Sequence, residues 1–123
     1  NSEPPKNKKK PLALTLTISK RGFKLASGVP SRTIKSISKT SEGKYDLIAL
    51  HDYLINIKKK NINEEVIVFE PIVDLTYEDI VKIMDSVRML KKTDDTLFKK
   101  DKDGIDVQLK TLFSKIMFGN LMS

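Results

Sequence analysis

Apolar and polar residues alternate across "LALTLTIS", where Leu12, Leu14, Leu16 and Ile18 are separated by Ala13, Thr15, Thr17 and Ser19. A period of two predicts a strand with one buried face and one Thr-rich face. "KRG" supplies a tight turn in which Gly22 can take positive φ, and "FKLAS" returns as the second strand of a hairpin. The stretch 28–44 is polar and rich in Ser and Lys. It predicts a long loop, within which "RTIKSI" has the makings of a short edge strand.

The period then lengthens. In "YDLIALHDYLINIKKK" Leu47, Leu50, Leu54 and Ile57 recur at helical spacing, with Ile48 and Ile55 widening the stripe. Asp46 stands where it can cap the first N–H groups, and Lys58, Lys59 and Lys60 stand where a helix end favours cations. "EEVIVFE" is continuously apolar, as in a central strand covered by helices. A second helix is predicted from about Tyr77 to Lys91 or Lys92, with Tyr77, Ile80, Met84 and Val87 facing inward beside Ile83 and Leu90. "TDDTLFKKDKDGID" is a polar excursion, and the apolar run Leu112–Phe118 predicts a last strand. The order β-β-α-β-α-β implies an α+β fold, a small two-layer α/β sandwich with a mixed sheet and two helices on one face.

Composition narrows the function classes. The 123 residues are 39% apolar and 32% charged, enough for one soluble domain. No cysteine is present, so disulfides and thiolate metal sites are excluded. No apolar run approaches the roughly 18 residues needed to span a bilayer. A start at Asn1 rather than Met suggests a piece of a longer protein. The net charge is +7, and residues 1–10, "NSEPPKNKKK", contribute four lysines against one glutamate. Residues 1–11 therefore read as an extended linker and 12–123 as the domain.

Acids gather in "VIVFEPIVDLTYEDIVKIMDSVRML", yet each has a structural use. Thr76 and Asp79 have capping-box spacing, Glu78 lies in the positive first turn, and Leu75 and Ile80 suit a hydrophobic staple. Asp85 can pair with Arg88 along the helix flank, while Glu70 and Asp74 flank a loop stiffened by Pro71. His51, the lone histidine, sits beside the buried stripe as a boundary residue. With Gly104 at the sixth position of a calcium loop, Lys99 and Lys110 occupy the first and twelfth, which excludes an EF-hand at Asp101–Asp106. Phosphate-binding glycine loops and nucleophile elbows are absent from the sequence. The reading is of a non-enzymatic protein with no catalytic residue, no metal and no cofactor.

The run from Lys44 to Leu90 resembles the periplasmic domain of the ExbD/TolR biopolymer-transport family. The likeness is carried by Gly22, Leu47, Leu50, Leu54, Lys58, Pro71, Asp74, Tyr77, Met84, Asp85 and Arg88 in their order and spacing. The closing "LFSKIMFGN" is similar to the last strand of longer, gliding-type members. The loops 28–44 and 93–108 are longer than in compact members, and Ile72 and Val73 stand where many members are polar.

The resemblance implies a single-pass inner-membrane protein with this domain in the periplasm. It implies a homodimer that works with an ExbB/TolQ/MotA-like membrane subunit to use the proton motive force. Force would pass to a TonB-like protein, or the domain would grip peptidoglycan. The candidate dimer or partner interface comprises Leu12, Leu14, Leu16, Leu112, Phe113, Ile116 and Phe118, with Pro71, Asp74 and Tyr77 in the helix-start loop. Apolar terminal strands support this, because sheet edges need covering. Two other classes stay open: a small basic nucleic-acid-binding module, although no nucleic-acid partner is expected, and an enzyme built on the Glu70/Asp74 loop.

Overall fold

The computed structural model describes residues 11–119. The linker assigned to 1–11 therefore lies outside the described residues except for Pro11. Seven strands and two helices follow in the order β1 (Thr15–Ser19), β2 (Gly22–Ser27), β3 (Arg32–Ser38), α1 (Leu47–Lys60), β4 (Val66–Pro71), α2 (Tyr77–Arg88), β5 (Phe98–Lys100), β6 (Asp106–Gln108) and β7 (Lys115–Phe118). Strands β3-β2-β1-β4-β7 form one five-stranded sheet, and β5 and β6 form a separate hairpin. The β1–β2 and β2–β3 pairs are antiparallel, whereas β4 runs parallel to both β1 and β7. The fold is α+β, with a mixed sheet and two helices.

Both helices pack on one sheet face. Leu14, Leu16 and Ile18 join Phe23, Leu25, Ile67 and Phe69 in a core closed by Leu50, Leu54 and Ile57 of α1 and Ile83 and Val87 of α2. The alternate residues Thr15, Thr17, Lys24 and Glu70 face away, as the period of two requires. Gly22 makes the first turn possible. Its φ is +143°, and a Cβ there would lie 2.1 Å from the Ile37 carbonyl oxygen, so no other residue fits.

Helix starts follow the capping logic. Asp46 Oδ1 accepts from the Ala49 N–H at 3.0 Å, and Thr76 Oγ1 accepts from the Asp79 N–H at 3.0 Å. Among the described residues Asp85 and Arg88 form no ion pair. The flank pair is Glu78–Lys82 at 3.2 Å, four residues apart.

Four expectations change. α2 ends at Arg88 rather than at Lys91 or Lys92, with Met89 already extended. The edge strand that "RTIKSI" allowed, by contrast, does form, because an edge strand needs only one core side chain and Ile37 supplies it opposite Phe23. The polar excursion after α2 contains the β5–β6 hairpin. The last strand starts at Lys115 rather than Leu112. The Leu112 and Phe113 N–H groups donate to Arg88 and Val87 carbonyls at the end of α2, and both side chains enter the core. Tyr77 is 81% exposed, not inward. As the first residue of α2 its side chain tilts back past the helix start and beyond the core.

Candidate functional site

The sheet has two edges, and they differ. β7 lies at one edge, with Ile116 opposite Ile67 on the helix face and Met117 opposite Val68 on the other. Phe118 packs edge-on against Phe69 with ring centroids 5.9 Å apart, yet remains 48% exposed, and Met117 is 57% exposed. Lys115 is held at the strand's start by Glu65, 3.4 Å away, which Lys99 also approaches at 3.8 Å. The hydrogen bond and charge of Lys115 hold the Glu65 carboxyl below the usual range. Among the described residues no strand pairs beyond β7, so this edge ends in exposed apolar side chains with their main-chain groups facing out. Open apolar edges are templates for pairing.

The interface residues expected from sequence divide accordingly. Leu14, Leu16, Leu112 and Phe113 are buried within the chain's own core, so their side chains are not available to a partner. β1 is the central strand, flanked by β2 and β4, and has no free edge for pairing across a two-fold. Leu12 is half-buried against the core, and Ile116 and Phe118 remain on the open edge. Met117, not singled out from sequence, is the most exposed apolar residue of β7. Its alternation with Ile116 was the signal: in a strand the two must point to opposite faces.

The helix-start loop lies at the end of the sheet where β4 and β7 finish. Pro71 is half-buried opposite Ile18, while Asp74 is exposed and Ile72 is 65% exposed. A cleft of about 490 Å³ opens here, lined by Lys20, Lys39, Tyr45, Asp74 and Asp79. The Tyr45 hydroxyl donates to the Ser19 carbonyl at 2.7 Å, and Lys39 Nζ sits 4.5 Å from the Tyr45 ring centre. Burial raises the Tyr45 pKa, and the negative charge of Asp79 adds to it. Opposite charges thus face one another across an open cleft. Among the described residues no three His, Asp or Glu side chains converge as metal ligands.

Two buried polar groups secure the ends of the helices. His51 is fully buried rather than a boundary residue, because its partners come from distant chain. Nδ1 lies 2.7 Å from the Ser86 carbonyl and Nε2 lies 2.8 Å from Asp94 Oδ2. Asp94 Oδ2 also accepts from the Lys91 N–H at 2.6 Å. Burial pushes the Asp94 carboxyl up, but the Lys91 N–H and the His51 ring outweigh it and hold the pKa below the usual value. Lys58 is buried too. Its Nζ donates to the Glu64 carbonyl and lies 5.1 Å from the Phe113 ring centre, and desolvation lowers its pKa.

No family model, curated protein or solved structure matches this chain.

Proposed function

We propose that the chain is the periplasmic domain of an ExbD/TolR-like subunit of an inner-membrane, proton-motive-force-driven transporter or stator. In this reading the domain dimerises and passes force to an envelope partner, a TonB-like protein or peptidoglycan. The ion-carrying chemistry belongs to a membrane helix working against an ExbB/TolQ/MotA-like subunit. One observation carries the reading: β7 is an open edge of a five-stranded sheet and bears exposed Met117 and Phe118. Two such edges meeting about a two-fold axis would join two sheets and cover both apolar patches. Ile72, Asp74 and Tyr77 lie at the end where β7 finishes and offer a second, mixed apolar and acidic contact for the partner that receives the force.

The chain has no cysteine, so Met117→Cys introduces a single reporter. Oxidation in native membranes should give a covalent dimer from Met117→Cys and little from Asn56→Cys on the exposed side of α1. Purification of the full-length protein should bring down a polytopic membrane subunit. A monomer by light scattering at high concentration, together with no co-purifying membrane subunit, sinks the proposal.

A further inference from the structure

We infer that the opposite edge of the sheet, β3, accepts an acidic extended peptide as an added strand. From Leu12 to Ser41 the chain holds Lys20, Arg21, Lys24, Arg32, Lys35 and Lys39 and no carboxylate, whereas the described residues from Glu42 onward hold more acids than bases. The structure gathers this cationic stretch into the β1–β2–β3 meander, whose outer strand is β3. None of the six cations has a carboxylate within ion-pair distance among the described residues.

Their placement favours a peptide over a flat or helical polyanion. Lys35 lies opposite Leu25 on the helix face, and Lys24 lies opposite Ser36 on the other. Ser36 is short, so it leaves the Lys24 ammonium open to the edge. Cations therefore straddle β3 from both faces. Consecutive side chains of an added strand point to opposite faces, so two adjacent carboxylates would meet Lys24 and Lys35. A membrane or duplex surface would meet one face only. Only a peptide also satisfies the outward N–H and C=O groups of an edge strand. Single-stranded nucleic acid needs free aromatic platforms, but the nearby rings of Tyr45 and Tyr53 are half-buried and carry the ammonium groups of Lys39 and Lys35 at 4.5 and 5.7 Å.

A lysine guarding an edge against aggregation would explain Lys35 alone. It does not explain a whole meander without a carboxylate. The same charge excludes pairing with the β3 of a second copy, since like charges would face each other. The pairing segment is Lys35–Ser38, because the register breaks between Leu25 and Ala26 near Ile34.

The test is fluorescence anisotropy on the full chain with a fluorescein-labelled peptide of Glu and Val in paired alternation, at low salt. The same peptide with alternate backbone nitrogens methylated keeps the charge and removes the strand hydrogen bonds. Binding should fall by about ten-fold or more with the methylated peptide, and by a similar factor with Lys24→Glu/Lys35→Glu. The lysines before Pro11 are unchanged in these comparisons, so they cancel. Equal affinity for the two peptides overturns the inference, as does no binding. Tighter binding of a thymidine oligonucleotide or of phosphatidylglycerol vesicles than of the peptide also overturns it. The peptide comparison uses the unmodified protein and stands even if the double variant fails to fold.

Discussion

Replacing His51 with Leu tests whether a buried polar clamp ties the helix pair to the segment that follows α2. The Ser86 carbonyl can only accept, so Nδ1 donates to it at 2.7 Å. Asp94, whose carboxyl is held ionised by the Lys91 N–H and by His51, accepts from Nε2 at 2.8 Å. Leucine fills a similar volume but removes one hydrogen bond to a carbonyl and one to a carboxylate. At about 1 kcal/mol for the first and about 2 kcal/mol for the second, the loss is roughly 3 kcal/mol. For a domain near 100 residues this lowers Tm by about 12–20 °C. Urea unfolding should show a lower midpoint with an unchanged slope.

Asp94→Asn should be less costly, and the double variant should lose less than the two singles together, because both break one bond. Acid supplies a second readout. Since the folded pKa of Asp94 is depressed, its contribution is fully present above the unfolded value near about 3.9 and fades as pH falls through the folded one. The gap between wild type and His51→Leu should therefore narrow in strong acid. A loss below about 1 kcal/mol, or strictly additive single variants, refutes the clamp.

Three further outcomes follow from local geometry. Gly22→Ala, with a Cβ 2.1 Å from the Ile37 carbonyl oxygen and φ at +143°, should cost about 3 kcal/mol in urea unfolding and weaken exchange protection along β2 and β3. Thr76→Ala removes the cap accepted from Asp79 and should cost about 1 kcal/mol, with Thr76→Asp restoring it. Lys58→Met keeps the packing against Phe113 and relieves a buried ammonium, so stability should change by less than about 1 kcal/mol, whereas Lys58→Ala should lose about 2–3 kcal/mol. Equal losses for the Met and Ala variants would show that the charge, not the stem, matters.

Where hydrophobic period alone determined the outcome, sequence reading sufficed. β1 alternates cleanly, α1 carries a continuous stripe, and Asp46 and Thr76 mark the two helix starts where their side chains do cap. β3 was ambiguous because Ile37 is its only fully buried residue, too little for a period. The apolar run at Leu112 looked like strand because a buried turn and a buried strand are equally apolar. Only the hydrogen bonds to the end of α2 distinguish them. His51 could not be placed from its own helix, since Ser86 and Asp94 lie 35 and 43 residues away. The candidate edges were the least legible, because strand order in a sheet is a long-range property. The apolar character of β1 said that it was buried, not that it was central.

The parallel run of β1, β4 and β7 has a mechanical consequence. β7 begins at one pole of the sheet, opposite Val66, and β1 ends towards the other, opposite Pro71, with β4 bridging them through two parallel ladders. A load applied at the start of β7 and the end of β1 therefore slides the strands along their length. Every bond in both ladders must then yield together. Tension applied at the β2–β3 turn would instead unzip that antiparallel pair one bond at a time. In single-molecule pulling the first geometry should rupture at a much higher force than the second.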